Sequence, residues 1–164
     1  EEIIRNAANE QRNENIPNSS LAHAEVGIRE LLAHASPNTN IRIVSYEFFE
    51  EFWAKFINAL SNFLSNNGIV EILLLSKKNR LIEELQKQFG GGKVKVYLAN
   101  EDIKKKEKEV PHFVVLEPKG YRFELSDKDL KDKIVRGYVN FGDENGSKEL
   151  RQFFDTLQDK TTLI

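Results

Sequence analysis

The sequence predicts an α/β fold: one domain in which a mixed, mainly parallel sheet carries helices on both faces as a three-layer sandwich. Its 164 residues are enough for a single hydrophobic core. Short apolar runs rich in β-branched residues alternate with longer stretches whose apolar residues recur at helical spacing. The strand-like runs are almost continuously apolar, which is typical of parallel strands covered on both faces.

The chain opens with residues 1–18, which are rich in Asn, Glu and Arg and which we expect to form an N-terminal arm or helix. The first amphipathic helix follows this segment. The Ser19–Ser20 pair offers an N-cap, apolar residues recur at helical spacing from Leu21 to Ala35, and Pro37 stops the run.

Three strands and two helices then alternate. The strands are expected over Ile41–Tyr46, Val70–Leu75 and Val94–Leu98. The helix between the first two carries a wide apolar stripe from Phe48 to Leu64, and the second helix starts at Asn79 and ends before Gly90. This βαβαβ order predicts parallel strands joined by right-handed crossovers.

The last part of the chain departs from this alternation. Phe113–Leu116 and Tyr121–Leu125 flank the turn Pro118–Gly120, which predicts an antiparallel hairpin. Val135–Phe141 predicts a further strand, and apolar residues from Leu150 to Leu157 predict a closing helix.

These elements place the single domain at residues 19–158, with residues 159–164 as a tail. The formal charge of -2 argues against a uniformly basic nucleic-acid binder, although local patches can still contact phosphate. The chain has no Cys, which excludes thiolate nucleophiles and Cys-based zinc sites.

We expect no metal and no cofactor. His23 and His34 would lie roughly 16 Å apart along one helix, too far to share a metal ion. No apolar run approaches the ~20 residues of a membrane span, and no basic-then-apolar leader is visible. We therefore expect a cytoplasmic protein.

Several local phrases occur in the order found in one half of a phospholipase D-type protein. They are Ile41–Ser45, Phe49–Phe56, Val70–Leu74, Val94–Tyr97 and Val110–Glu117. On these residues the chain resembles the phospholipase D superfamily, which implies a phospholipase D-like fold. The strand matching Val110–Glu117 reads H-x-K-x-x-x-x-D in that superfamily. The resemblance implies that its His attacks phosphorus, its Lys clamps phosphate oxygens and its Asp supports the site.

This sequence departs from the motif at the positions that carry the chemistry. Val110 stands where the nucleophile is expected, His112 stands at the Lys position, and Glu117 replaces the Asp. The later G-S-x-N element is also missing, with residues 124–127 in its place. The resemblance therefore implies a non-catalytic domain, a pseudoenzyme.

The resemblance also implies a partner, because two halves meet in the family to build one site. A single half implies a homodimer or a paired second domain, presenting a surface to nucleic acid, to a phosphate-containing ligand or to a protein. Open α/β sheets usually bind ligands at the carboxyl ends of their strands. The candidate ligand-binding residues are Lys77, Lys78 and Arg80, which follow a strand, and Lys119 and Arg122 of the hairpin.

The alternative is a divergent phosphodiesterase or nuclease in which His112 from each of two subunits works with Lys119 and Arg122. Glu117 is the second candidate catalytic residue in that case. Covalent catalysis by His requires an imidazole aimed at phosphorus and positive charge around the phosphate. We favour the binding role because strand alternation puts Glu117 on the opposite face from His112. A third alternative is another α/β binding domain whose element order mimics the family.

Overall fold

The computed structural model describes residues 1–46, 48, 50–126 and 136–164. The strands are β1 Ile16–Asn18, β2 Asn40–Ser45, β3 Ile69–Leu74, β4 Val94–Ala99, β5 His112–Leu116, β6 Tyr121–Glu124, β7 Gly137–Asn140 and β8 Thr161–Leu163. The helices are α1 Glu2–Glu10, α2 Leu21–Ala33, α3 Glu50–Trp53, α4 Ile57–Ser65, α5 Arg80–Phe89, α6 Glu101–Lys104 and α7 Glu144–Gln158. Short 3₁₀ turns cover Ala54–Phe56 and Glu107–Glu109.

The fold is α/β, as the sequence predicted. The sequence also predicted a mainly parallel sheet, but most neighbouring strands pair antiparallel. The eight strands run in the order β1-β7-β6-β5-β2-β3-β4-β8. Strands β2, β3 and β4 are parallel, whereas the other neighbouring strands of the described sheet pair antiparallel. The prediction of a mainly parallel sheet was wrong because a continuous apolar run indicates that a strand is buried on both faces, but it does not indicate the direction in which the strand runs. Strand β5 is buried in this way and still lies antiparallel to β2.

Helices cover both faces of the sheet, as predicted. On the first face, α1, α2, α4 and α5 pack against side chains such as Ile43 and Val114. On the second face, α6 and α7 pack against side chains such as Val44 and Phe113. Neighbouring residues of one strand contribute to opposite faces because strand side chains alternate.

The helix ends follow the predicted local signals. The Ser20 side chain accepts a hydrogen bond from the His23 amide at 3.2 Å, and the Asn79 side chain accepts one from the Ile82 amide at 3.1 Å. Gly90 ends α5 with a φ of 83°, a conformation that favours glycine. No helix within the described ranges is both long and apolar enough to cross a membrane.

The first 18 residues join the sheet. Helix α1 buries Ile4, Ala7 and Ala8 in the core of the first face, and β1 pairs antiparallel with β7. The segment 159–164 was predicted as a tail, but it contains β8, which pairs antiparallel with β4. Three strand residues are too few for a periodic pattern, so no local signal marks this edge in the sequence.

The predicted hairpin and the last strand are present with shorter bounds. Strands β5 and β6 pair antiparallel across the Pro118–Gly120 turn, and β6 ends at Glu124 rather than at Leu125. The strand predicted from Val135 is observed as β7. Residue 135, the first of that predicted strand, lies outside the described residues. Two further predicted positions also lie outside them: residue 127 of the stretch that replaces G-S-x-N, and Phe49 of the predicted apolar stripe.

Candidate functional site

A pocket of about 710 Å³ opens on the first face of the sheet, at the end where β2 finishes. Helix α2 forms one wall, α3 forms the other, and β2, β5 and β6 form the floor. The crevice beyond the carboxyl ends of parallel strands is where open α/β sheets usually bind ligands. The described lining residues are Leu21, Ala24, Ile28, Ile43, Val44, Ser45, Glu50, Glu51, Phe52, Trp53, Lys55, His112, Phe113, Val114, Arg122 and Glu124.

His112 lies in the floor of this pocket as the first residue of β5. Its partner in the sheet register is Glu124 of β6. Directly opposed residues of antiparallel strands project on the same face, with Cβ atoms ~5 Å apart. The hairpin therefore brings the predicted His112 together with Glu124 and with the predicted Arg122, which lines the same pocket.

Arg122 is held from two sides. Its Nη2 lies 2.8 Å from Glu124 Oε2, and its side chain is only 9% exposed. With the Asn18 amide oriented to donate to the Gly137 carbonyl at 3.1 Å, Asn18 Oδ1 also accepts from Arg122 Nη2 at 3.3 Å. The buried Nε of Arg122 has no hydrogen-bond partner within the described part of the chain. Buried donors of this kind are uncommon in folded proteins.

Carboxylates surround the opening of the pocket. Glu50 and Glu51 are exposed residues of α3, and Glu50 Oε1 accepts a hydrogen bond from the Arg80 amide at 3.0 Å. The nearby Lys55 is neutralised by Glu25, which lies 2.7 Å from its Nζ. Within the described ranges, no group of three or more His, Asp or Glu side chains is arranged to hold a metal ion.

The predicted basic residues after β3 lie next to this opening. Lys77 is exposed and forms no ion pair in the part of the chain that the structure describes. Lys78 Nζ donates to Gln86 Oε1 at 3.3 Å, and Arg80 Nε donates to Glu84 Oε1 at 2.9 Å. Because the Arg80 amide contacts the pocket rim, the pocket and the basic loop form one continuous edge.

Glu117 and Lys119 lie at the opposite end of the sheet. Glu117 Oε1 lies 3.0 Å from Arg151 Nη1, and its Oε2 accepts from the Asn40 amide at 3.3 Å. Lys119 lines a separate pocket of about 120 Å³. The extended strand between His112 and Glu117 spans roughly 16 Å. Within one chain, the structure therefore does not bring either residue to His112.

Sequence reasoning missed the acidic rim and treated the aromatic wall only as part of a helix stripe. Glu50 and Glu51 follow the carboxyl end of β2, so the rule that selected Lys77 after β3 also selects them. Phe52 and Trp53 could not be assigned to the pocket, because the stripe does not tell which of its rings face the interior. In the structure both rings line the pocket, and they meet edge to face at 5.9 Å.

A second charged cluster lies under α7 on the other face of the sheet. Arg42 Nε donates to Glu71 Oε2 at 2.9 Å, and the Tyr97 hydroxyl donates to Glu71 Oε1 at 3.4 Å. Burial, together with the Glu71 charge, raises the pKa of Tyr97. Arg42 also lies 5.5 Å from the centre of the Phe154 ring. This cluster joins α7 to the sheet and is separate from the pocket.

No protein-family model matches the sequence, and no curated protein matches it. Among solved structures, the chain is similar to TrmBL2, described as an archaeal chromatin protein with a novel mode of DNA binding. The two share 13% sequence identity with a TM-score of 0.64, over 92% of this chain and 52% of TrmBL2. The chain therefore spans about half the length of TrmBL2. The similarity at this identity establishes a shared fold.

Proposed function

We propose that this chain is a non-catalytic, phospholipase D-like binding module that takes nucleic acid along the edge formed by the pocket and the Lys77–Arg80 loop. The observation that carries the proposal is this loop, which places exposed positive charge at the carboxyl end of a parallel strand. The phospholipase D-like assignment is supported by the motifs of the sequence and by the order of its elements.

The non-catalytic part of the proposal is supported by the side chains around His112. The family's nucleophile position is occupied by Val110, which is 7% exposed and cannot attack phosphorus. His112 is the one imidazole among the described residues that line the pocket. Two-step transfer through phosphohistidine also requires a second group that protonates the leaving oxygen. Glu117, the second candidate, is engaged by Arg151 at the far end of the sheet, and Glu124, which lies opposite His112, is paired with Arg122.

The nucleic-acid part is supported by electrostatics and by the structural neighbour. Phosphate contacts from Lys and Arg provide most of the affinity in nucleic-acid binding and need no specific pocket. Lys77 is exposed for such a contact, and among the described residues Lys78 Nζ contacts only the neutral Gln86 side-chain amide. TrmBL2, which shares the fold, is a chromatin protein that binds DNA. We extend the DNA binding of TrmBL2 to this chain and, because RNA carries the same phosphates, to RNA as well.

Fluorescence anisotropy with single- and double-stranded oligonucleotides at several salt concentrations tests the proposal. The double variant Lys77→Ala/Lys78→Ala should bind more weakly. Removing two phosphate contacts should lower the slope of log K against log salt by about 1.4 on single strands and about 1.8 on duplex.

The matched control is Lys87→Ala/Lys148→Ala. It removes the same charge from exposed positions near the end of α5 and on α7. Equal losses in the two double variants would mean that net charge alone governs binding, and the assignment of this edge would be wrong. No binding by the unmodified chain to either type of oligonucleotide would reject the nucleic-acid role.

We further propose that two copies of the chain pair over this edge, as two halves meet in the phospholipase D superfamily. Leu21 supports this, because it is 68% exposed while lining the pocket. Light scattering should then give twice the chain mass of 18.9 kDa. Leu21→Glu should return the mass to that of one chain, whereas the control Ile3→Glu, at a 67% exposed position of α1, should not. A single-chain mass for the unmodified protein would reject pairing.

A further inference from the structure

We infer that the pocket holds a nucleobase, and not a phosphate group, with the Arg122–Glu124 pair hydrogen-bonded to the edge of the base. This inference rests on the proposed nucleic-acid function and specifies which part of the ligand enters the pocket. The phosphates would then lie outside, on the Lys77–Arg80 loop.

The charges of the pocket disfavour phosphate. Its described lining carries three carboxylates, Glu50, Glu51 and Glu124, against two cations, Lys55 and Arg122. Both cations are already neutralised, Lys55 by Glu25 at 2.7 Å and Arg122 by Glu124 at 2.8 Å. A phosphate placed here would meet the negative charge of the exposed Glu50 and Glu51 carboxylates, which repels it even though water screens part of the repulsion. A neutral group avoids this repulsion.

The walls of the pocket suit a flat, apolar body. Leu21, Ala24 and Ile28 form the α2 side, and the rings of Phe52 and Trp53 form the α3 side. The volume of about 710 Å³ is within the range of pockets that enclose small organic ligands. Stacking on aromatic side chains is how proteins commonly hold the bases of single-stranded nucleic acids.

The polar groups of the floor suit the edge of a base. The Arg122 guanidinium is a donor whose side chain is 9% exposed, and Glu124 is an acceptor that is 27% exposed. Donor and acceptor thus stand side by side on β6. Each nucleobase presents acceptors and N–H donors along one edge, so a base can pair with both groups. The phosphate of a nucleic acid offers acceptors only, so it brings no donor of its own to the Glu124 carboxylate.

Trp53 provides the measurement, because it is the one tryptophan of the chain and it lines the pocket. Guanosine, adenosine, uridine and cytidine are titrated separately against its fluorescence. Inorganic phosphate and ribose 5-phosphate are then added as competitors. We expect saturable quenching by at least one nucleoside and no displacement by either competitor.

Glu124→Gln should weaken nucleoside binding several-fold, because hydrogen bonds to an ionised acceptor are about twice as strong as neutral ones. The matched control is Glu149→Gln, an exposed carboxylate of α7 outside this pocket, which should leave binding unchanged. Thermal unfolding of both variants establishes that they are folded, and the nucleoside series on the unmodified chain tests the inference independently of any substitution.

Displacement by inorganic phosphate, or the absence of quenching by every nucleoside, would overturn the inference. Unchanged affinity in a folded Glu124→Gln variant would overturn the role of the Arg122–Glu124 pair. These results are separate from the proposed function. If oligonucleotides bind through Lys77 and Lys78 but no nucleoside binds, only the assignment of the pocket to a nucleobase is rejected. If a nucleoside binds but no oligonucleotide does, only the proposed nucleic-acid function is rejected.

Discussion

Replacing Glu71 with Ala should destabilise the domain by about 3 kcal/mol. Glu71 is 5% exposed, and its Oε2 lies 2.9 Å from Nε of Arg42, whose side chain is 16% exposed. Removing one partner of a buried ion pair leaves the other charge uncompensated, which typically costs about 3–5 kcal/mol. The Ala variant would leave the Arg42 guanidinium in this situation beneath α7.

The remaining contacts place the expected loss at the lower end of that range. Arg42 Nη2 still lies 3.4 Å from Asp155 Oδ1, although the Asp155 side chain is 57% exposed and its charge is screened by water. The Arg42 Nη1 donor also keeps the Arg151 carbonyl at 3.4 Å. In addition, Glu71→Ala removes the acceptor of the Asn40 side-chain Nδ2 at 3.2 Å and of the Tyr97 hydroxyl at 3.4 Å.

Urea unfolding followed by circular dichroism measures this loss. In a domain of this size, about 3 kcal/mol corresponds to a decrease in Tm of roughly 6–12 °C. The double variant Arg42→Met/Glu71→Leu should be much more stable than Glu71→Ala, because it removes both charges and keeps apolar volume. Glu83→Ala, at an exposed position of α5, should change stability by less than ~0.5 kcal/mol. If the double variant were as unstable as Glu71→Ala, lost packing and not uncompensated charge would explain the effect.

Two further predictions concern the hairpin. Burial, followed by the hydrogen bond to Asp143, raises the pKa of Tyr121 to about 12, so the folded state holds this proton more tightly than the unfolded state. The stability that Tyr121 contributes is therefore complete below pH ~10 and is lost as the pH rises towards 12. Between these pH values, the free energy of unfolding measured with urea should fall less steeply for Tyr121→Phe than for the unmodified chain. For His112, the unmodified chain and His112→Ala should both hydrolyse a phosphodiester dye only at the background rate; hydrolysis that disappears in His112→Ala would favour the phosphodiesterase alternative.

Much of the fold could be predicted because local patterns determine it. The caps at Ser20 and Asn79 and the stop at Gly90 depend on residues within one helical turn. The parallel order of β2, β3 and β4 follows from alternating strands and helices. The direction of the strands other than β2, β3 and β4 depends on the strand with which each of them pairs. That choice is made by contacts between distant segments, such as β1 with β7 and β5 with β2.

The candidate site was predicted in part for the same reason. The carboxyl-end rule selected Lys77, Lys78 and Arg80, and the hairpin motif selected His112 and Arg122. The structure places all five at one end of the sheet. The carboxylates of Glu50 and Glu51 come from α3, a different segment, so only the folded arrangement brings them to the pocket. Glu117 and Lys119 do not lie in the site, although they are close to His112 in sequence. The extended strand β5 places His112 at one end of the sheet and these two residues at the other.

The N-terminal strand has a practical consequence for work on this protein. Asn18 reaches the Arg122 guanidinium from β1, and Asn13 and Asn15 accept hydrogen bonds from the Asn140 amide at 3.2 and 3.1 Å. Trimming the first 18 residues would strip a neighbour from β7 and loosen an arginine that lies more than a hundred positions later in the chain. Shortened versions intended for ligand screening should therefore retain this segment, since a weak signal from them would report a disturbed pocket.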